Sequence, residues 1–270
     1  MNSTHPISTT INRIAQPLGY LNLQLGIDEG HWVNLTDLFH PNSAHLPALS
    51  KDISQKFGTK ARNTVASILL QSFHWRVMTA AIAAYILDQR VIDLQPEQVS
   101  LRLSNTHEFD AIALRSPLFT ALPNDPAAQS ADATIVPNAA ALQDVLGEAL
   151  QQHFTTVIGA LTVSLGCKPR GLWLNVADSL VGTLIYLQPL LNENCEVEKI
   201  SQMIGQINCV PKKWLISKRS GLLTVESNGQ RKPYLDRLTC CQYYRRSNIY
   251  CGTCPRLSYE ERQQNQLAHL

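Results

Sequence analysis

The sequence lacks long apolar runs, internal repeats and any glycine-rich nucleotide-binding motif. Its longest apolar stretches lie near Val77–Leu87 and Val157–Leu165, and both are far short of the ~20 residues that a membrane-spanning helix needs. No basic segment followed by an apolar core is visible at the amino terminus, as a secretory signal would require. No G-x-G-x-x-G follows a predicted strand, so a built-in nicotinamide or flavin site is not indicated. We therefore expect a cytoplasmic protein without a transmembrane segment.

The fraction of charged residues is ordinary, but basic and acidic residues are distributed unevenly along the chain. The 270 residues are 44% apolar and 16% charged, which is typical of a globular protein with room for one large domain or two modest ones. Residues 210–270 hold eleven basic and four acidic residues, a net charge of +7, and the rest of the chain has a net charge of −5. A basic segment of this kind binds an anionic partner or offsets a negatively charged site nearby.

Apolar periodicity predicts three long helices. The first covers residues 60–89, with Thr59 as its cap. The second begins after Asn138 and ends at Gly166, and the third opens with Pro169 at its first position. A helix-rich body is therefore expected.

Strands are predicted in two places. Val99–Leu103 alternates apolar and polar residues and is expected to pair with Phe109–Leu114. Further along, Leu222–Ser227 and Gln230–Tyr234 flank Asn228-Gly229, a pair that suits a type I′ hairpin turn.

Proline-rich segments are expected to be irregular. One such segment is the first ~45 residues, which lack long periodic runs. The other is residues 117–137, whose composition is typical of a linker. A fourth helix is predicted over Val197–Ile207. We expect a helix-dominated α+β fold, with residues 1–210 as a mainly helical body carrying a small antiparallel sheet. Residues 211–270 are expected to form a hairpin and a short C-terminal metal-binding subdomain.

Four of the seven cysteines lie within fifteen residues, as a vicinal pair, Cys240 and Cys241, and a C-x-x-C pair, Cys251 and Cys254. The C-x-x-C pair suits structural zinc, whereas adjacent side chains point apart and suit a tetrahedral zinc ion poorly. A [2Fe–2S] cluster offers two irons that each need two thiolates, so each pair could serve one iron. The spacing favours iron–sulfur and leaves zinc and redox-active thiols open.

The cysteine-rich sequence from Arg237 to Pro255 resembles the C-terminal signature of the FhuF-type ferric-siderophore reductases. The stretch around Trp173 and Asn175 is similar to the Trp-x-Asn helix of that family, and residues 66–81 are similar to its first helical segment. The family pattern is usually written with ten residues between the second and third cysteines, and this sequence has nine.

The resemblance implies a [2Fe–2S] cluster on the four cysteines and cytoplasmic one-electron reduction of ferric siderophores, releasing Fe(II) for iron assimilation. Fe(II) has a lower charge density than Fe(III) and is held far more weakly by hard oxygen donors. Because the sequence offers no nicotinamide or flavin site of its own, the implied electron donor is external, a reduced protein or a flavin- or nicotinamide-derived cofactor.

Several side chains are candidates for supporting roles. Positive charge near a cluster of thiolates favours the reduced form, and a hydroxyl or N–H inside a C-x-x-C pair donates to cluster sulfur. Candidates for substrate binding lie on the helical body, although packing, capping and salt-bridge roles explain the same residues. The candidates around the cluster are Arg237, Arg245, Arg246 and Thr253, and those for substrate are Arg76, Trp173 and Asn175.

Two other functions fit the same residues. A zinc-stapled module could bind nucleic acid through the basic segment, although no nucleic acid is expected because the vicinal cysteines suit zinc poorly and the body is acidic. An iron–sulfur protein that senses iron or redox state would bind the same cluster but would not turn over a ferric chelate.

Overall fold

The fold is described from a computed structural model, covering residues 5–40, 42–104, 108–187, 221–227, 230–242 and 244–268. It is a helix-dominated α+β fold, as predicted. The helices are α1 (Pro6–Leu18), α2 (Leu35–Leu38), α3 (His45–Lys56), α4 (Arg62–Asp88), α5 (Ala139–Leu165), α6 (Pro169–Tyr186), α7 (Tyr244–Ser247) and α8 (Tyr259–Leu267). The strands are β1 (Leu23–Leu25), β2 (Trp32–Asn34), β3 (Val91–Ile92), β4 (Val99–Leu103), β5 (Phe109–Leu114), β6 (Phe119–Ala121), β7 (Ala133–Ile135), β8 (Gly221–Ser227) and β9 (Gln230–Asp236).

Two of the three long helices have boundaries at the signals read from the sequence. Before the other, α4, Thr59 Oγ1 accepts a hydrogen bond from the Ala61 N–H, 3.3 Å away, which lies outside the helix. Asn138 Oδ1 accepts from the third residue of α5 at 3.0 Å, and Gly166 ends that helix with φ +59°, a left-handed value that glycine adopts readily. Pro169 opens α6 at its first position. The predictions for Asn138, Gly166 and Pro169 are confirmed. The cap predicted at Thr59 is wrong, because the Ala61 carbonyl accepts the first bond of α4, from the Val65 N–H at 3.0 Å, and Thr59 lies two residues before it.

The chain divides into two compact units, each built from separate stretches of sequence. One comprises Met1–Leu46 and Trp75–Ala160, and the other comprises Pro47–His74 and Leu161–Leu270. The helices α4 and α5 contribute residues to both. The boundary predicted at residues 210–211 and the helix predicted over 197–207 lie outside the described residues.

The first unit contains two small mixed sheets. In one, the strand order is β1-β5-β4-β2; β4 pairs with β5 antiparallel, as predicted, whereas β1 joins β5 in parallel. The prediction of an irregular start is wrong, because α1 forms there. His5 caps this helix, its ring accepting the Ile7 N–H at 3.1 Å, and Pro6 sits at the first position without losing a hydrogen bond. Ile7, Ile11 and Ile14 then bury one face at helical spacing.

The predicted linker over residues 117–137 is also partly wrong. Two short strands form inside it, and β6 pairs with β7 in parallel, with Phe119 opposite Ala133. Both are three residues long, too short to show the alternation by which a strand is recognised in sequence. Buried Phe119 and Ala121 tie this segment to the core.

The second unit combines α6 with an antiparallel hairpin of β8 and β9, so the predicted hairpin pairing is confirmed. The turn residues Asn228 and Gly229 lie outside the described residues. Helix α6 packs against β9 where Gly182 leaves room for Leu235; a Cβ at Gly182 would lie 3.3 Å from a Leu235 methyl carbon. The helix α8 packs against β8 and begins with a capping box of Ser258 and Glu261. The cysteine-rich sequence joins β9 to α8.

Candidate metal centre

The cysteine segment, residues 237–256, is folded back on itself by two residues in left-handed conformation. Gln242 follows the vicinal cysteines with φ +62°, and Asn248 follows the short helix α7 with φ +55°. The Arg245 N–H donates to the Gln242 carbonyl at 3.0 Å, and the Asn248 N–H donates to the Tyr244 carbonyl at 2.8 Å. These turns bring the C-x-x-C pair back toward the vicinal pair.

The sulfurs of Cys241 and Cys251, one from each pair, lie 3.8 Å apart. Two thiolates on one tetrahedral ion, each ~2.3 Å from the metal, are about 3.8 Å apart by the tetrahedral angle. Cys254 follows in a tight turn, its N–H donating to the Cys251 carbonyl at 2.9 Å. Cys254 is 1% exposed, whereas the other three are half-buried, and none of the four forms a disulfide.

The thiols affect each other's ionisation. The hydrogen bond with Cys241 raises the pKa of the Cys251 thiol, and burial and the charges of Cys241 and Cys254 add to this, while the Arg237 charge opposes it. The hydrogen bond favours the protonated thiol, burial disfavours the charged form, and neighbouring thiolates repel each other where water screens them poorly. A bound metal removes this penalty, because it supplies positive charge and deprotonates its thiol ligands.

The residues present fit a thiolate-bound metal or iron–sulfur group. The donor set is all sulfur, which selects soft metals and iron–sulfur clusters. Cys240 also receives a hydrogen bond from the Gln242 N–H at 3.4 Å and another from the Arg256 side chain, contacts that suit a metal-bound thiolate. Among the described residues, no three Cys, His, Asp or Glu side chains yet converge as a complete metal-binding group. The fit rests on the donor chemistry and on the Cys241–Cys251 spacing.

A buried carboxylate on α6 holds the start of the cysteine segment. The Asp178 side chain has 0% exposure. Its Oδ1 accepts the Leu238 N–H at 3.0 Å, and its Oδ2 accepts the Thr239 N–H at 2.8 Å and lies within hydrogen-bond reach of the Thr239 hydroxyl. Burial raises the Asp178 pKa more than these bonds and the Arg237 charge lower it. Sequence reasoning missed Asp178, although an acidic residue on so apolar a helix is a signal, since buried carboxylates need partners.

Asn175, one of the predicted substrate residues, belongs to the same buried network. It is 2% exposed, and its Nδ2 donates to Ser67 Oγ at 2.9 Å. Its Oδ1 accepts from Gln71 Nε2 at 3.3 Å and from the Thr239 hydroxyl at 2.7 Å. Asn175 thus links α4 to the residue before Cys240. Trp173, on the same helix, is half-buried.

Arg76, the other predicted substrate residue, belongs to the first unit. Its guanidinium donates to the carbonyls of Tyr20, Leu21 and Phe109 at 3.0, 3.4 and 3.2 Å, and lies 4.3 Å from the Trp75 ring centre. Burial lowers its pKa, while nearby Asp110 raises it. These contacts give Arg76 a structural role that holds carbonyls at one end of the sheet.

The predicted basic residues take different positions around the sulfurs. Arg237 lies 3.9 Å from Asp178 and acts electrostatically on Cys251. Arg245 is exposed and stacks over Tyr244 at 5.6 Å. Arg256, which was not singled out from the sequence, stacks over the same ring at 4.6 Å and reaches Cys240. The Arg246 side chain is outside the described residues. Thr253 is half-buried between Cys251 and Cys254.

The family comparison covers the helical part of this arrangement. Residues 67–203, slightly more than half of the chain, match the family model described as ferric iron reductase FhuF-like transporter. That range contains Ser67, Asn175 and Asp178 and ends before the cysteine segment. No curated protein matches the sequence. Among the described residues, no helix is both long and apolar enough to cross a membrane. The chain belongs to the FhuF family of ferric iron reductase-like proteins.

Proposed function

We propose that this chain reduces ferric siderophores by one electron in the cytoplasm, and that a [2Fe–2S] cluster on Cys240, Cys241, Cys251 and Cys254 supplies that electron when bound. The observation that carries the proposal is the attachment of the cysteine segment to α6. The helix lies inside the region that matches the ferric reductase family, and Asp178 and Asn175 bond directly to the residues before Cys240.

The proposed substrate is an iron(III) chelate with hard oxygen donors. Adding one electron to this iron gives Fe(II), whose lower charge density weakens its binding to such ligands, so the metal leaves without a bond of the siderophore being broken. No proton needs to move in this step. The protein therefore needs only to hold the thiolate site and to bind the chelate close to it.

The chain's own cations balance the charge of the site. Four thiolates give any bound iron–sulfur group a net negative charge, and Arg237 and Arg256 each act on one of the cysteines. Positive charge at this range stabilises the reduced, more negative state and so raises the reduction potential. The Gln242 N–H to Cys240 acts in the same direction.

An exposed face beside the sulfurs fits an external electron donor. We define the tyrosine–arginine face as Tyr244, Arg245, Ile249, Tyr250 and Arg256. Ile249 and Tyr250 are 68% and 45% exposed, and the Tyr244 and Tyr250 rings lie 5.6 Å apart. Aromatic and basic residues together suit weak, salt-sensitive docking of an acidic electron-transfer protein. A small reduced flavin could use the same face.

Zinc is the alternative that one observation favours. The 3.8 Å between the Cys241 and Cys251 sulfurs equally suits two ligands of a tetrahedral zinc ion. In that case the tyrosine–arginine face would be a candidate for stacking and phosphate contacts with nucleic acid. An iron-sensing role would share the cluster and differ only in lacking turnover.

The test is an absorption spectrum of protein purified without air, before and after dithionite, with iron, sulfide and zinc assayed on the same sample. We expect two irons and two sulfides per chain, bleaching on reduction, and recolouring when a ferric siderophore is added. Cys251→Ser is expected to lose colour and activity together, whereas Cys167→Ser, a free buried thiol elsewhere, keeps both. A colourless zinc protein would overturn the proposal, and a coloured protein that ignores the chelate would favour the sensor.

A further inference from the structure

We propose that Asp178 is a positioning residue for the metal centre: its buried carboxylate clamps the backbone before Cys240 and aims the vicinal cysteines at the C-x-x-C pair. The identity of the bound group rests on the proposed function, but the clamp is a property of the chain itself.

The clamp is made by one carboxylate and two consecutive peptide groups. Asp178 Oδ1 takes the Leu238 N–H and Oδ2 takes the Thr239 N–H, at 3.0 and 2.8 Å. Each N–H belongs to the peptide that precedes its own α-carbon, so these two bonds fix the peptide planes on both sides of Leu238. The second plane ends at the Thr239 α-carbon, one peptide unit before the α-carbon of Cys240, so the clamp limits the position from which the vicinal cysteines leave.

The Thr239 hydroxyl extends the clamp to α4. This hydroxyl has one proton, and two acceptors lie within its reach, Asp178 Oδ2 and Asn175 Oδ1, the latter at 2.7 Å. Asn175 cannot turn away, because its amide also bonds Ser67 and Gln71. The cysteine segment is therefore tied to two helices through a single threonine.

Asp178 also lies near the cation that acts on the other cysteine pair. The Arg237 Nε is 3.9 Å from Asp178 Oδ2, an ion pair without a hydrogen bond, and the Arg237 charge acts on Cys251. The same carboxylate thus bonds the chain before Cys240 and attracts a positive charge that acts on Cys251. Burying a carboxylate costs free energy unless it is fully paired, and an apolar side chain in so apolar a helix would avoid this cost. The presence of Asp178 here is therefore better explained by its bonds to the cysteine segment than by stability alone.

Asparagine at this position breaks the clamp with almost no change in size. One carboxylate oxygen becomes an NH₂ group, which faces N–H donors and cannot accept from them. Thr239→Val is a milder second variant, because it removes the hydroxyl and leaves both backbone bonds. The matched control is Asp125→Asn, which disturbs a buried carboxylate in the first unit, where its partner is Arg90.

The experiment has two readouts besides activity. In full-length, metal-free protein, alkylation of Cys240 and Cys241 by iodoacetamide is followed by mass spectrometry, with Cys254 as internal reference. We expect Asp178→Asn to speed alkylation of the vicinal pair roughly tenfold relative to Cys254, Thr239→Val to speed it less, and Asp125→Asn to leave the ratio unchanged. In iron-reconstituted protein, we expect Asp178→Asn to change the electron paramagnetic resonance spectrum of the reduced site and to bind less iron per chain.

The results separate the clamp from the proposed function. If wild-type protein binds zinc or nothing while the alkylation ratio still rises in Asp178→Asn, the clamp stands and the reductase proposal fails. If Asp178→Asn shows the wild-type ratio, or if Asp125→Asn raises it equally, the clamp is overturned. Should Asp178→Asn fail to fold, by circular dichroism, Thr239→Val decides, and a wild-type ratio in that variant overturns the proposal.

Discussion

Two buried aspartates, one in each unit, are held in opposite ways. Asp125 forms a two-pronged ion pair with Arg90 at 2.7 and 2.8 Å, and Arg90 in turn donates to the Pro6 carbonyl and the Thr10 hydroxyl. Asp178 instead accepts from backbone N–H groups of the cysteine segment, and its arginine stays at 3.9 Å. Asp125 also accepts the Ala127 N–H at 2.7 Å, but its main partner is a charged side chain. Asp178 is held chiefly by the N–H groups of the cysteine segment.

Their ionisation reflects this difference. Burial raises the Asp125 pKa, but the hydrogen bonds from Arg90 and from the Ala127 N–H, together with the Arg90 charge, outweigh it and leave the pKa lowered. For Asp178 burial is the larger effect, and the pKa stays raised. The comparison fits a stabilising role for the Asp125–Arg90 pair and the positioning role that we propose for Asp178.

Breaking the Asp125–Arg90 pair should produce the largest effect. Arg90→Met leaves Asp125 buried without its cation, so we expect the free energy of unfolding to fall by about 3–5 kcal/mol. Urea unfolding followed by circular dichroism measures this loss. Thiol alkylation of the cysteine segment in the folded fraction should stay as in the wild type; faster alkylation would contradict the assignment of Arg90 to stability alone.

Two buried histidines allow the stability of the molecule to be varied by pH. Burial lowers the pKa of both His74 and His153 to about 4 from 6.5. Between pH 6.5 and 4 the unfolded state binds protons that the folded state does not, so stability is full above pH 6.5 and falls as the pH drops toward 4. Each histidine contributes on the order of 3 kcal/mol to this loss.

Chemical unfolding at pH 7 and pH 5 measures the effect. His153→Asn should flatten the pH dependence, because an amide can replace the bond between His153 Nδ1 and the Leu94 carbonyl, 2.9 Å long, without titrating in this range. A dependence as steep as in the wild type would show that His153 is not a source of the acid sensitivity.

Breaking the clamp should cost less stability than breaking the ion pair. We expect Asp178→Asn to lower the free energy of unfolding by about 1–3 kcal/mol, since backbone N–H groups lose an acceptor while Arg237, 3.9 Å away, loses only an ion pair without a hydrogen bond. Combining it with Thr239→Val should cost less than the sum of the two single changes, because both remove the same contact. Strict additivity in this double-mutant cycle would place the two residues in separate networks.

The smallest effect is expected on the exposed surface. Arg245→Gln removes an exposed cation of the tyrosine–arginine face, so electron transfer from an acidic donor protein should slow a few-fold at low salt and match the wild type at high salt. Stopped-flow reduction across a salt series measures this. Lys51→Gln, an exposed cation outside the face, is the control, and an equal effect there would argue against specific docking.

The sequence predicts the long helices well because each carries its own stop and start signals. Asn138, Gly166 and Pro169 act within one turn of chain, so no knowledge of the fold is needed to read them. The strands β6 and β7 were missed, since three-residue strands are selected by the partner that they meet and not by their own pattern.

The four cysteines of the candidate site could be predicted from the sequence, but the side chains that hold the cysteine segment in place could not. Four cysteines within fifteen residues are a recognisable sequence pattern. The partners of Asp178, in contrast, are backbone groups that lie 60 and 61 positions further along the chain. Backbone N–H groups carry no sequence signature, so their pairing with a side chain appears only in three dimensions. The metal that the sulfurs bind, and the use of the tyrosine–arginine face, stay predictions.

The left-handed backbone at Gln242 and Asn248 limits which residues can replace them during evolution. An L-residue in that conformation costs roughly 1–2 kcal/mol, and glycine or asparagine carries the smallest penalty. Substitution by glycine at position 242 should therefore be tolerated or favoured, while β-branched residues should be selected against. Because these two turns bring the C-x-x-C pair back toward the vicinal pair, distant relatives are best sought by a pattern that restricts positions 242 and 248 as well as the four cysteines.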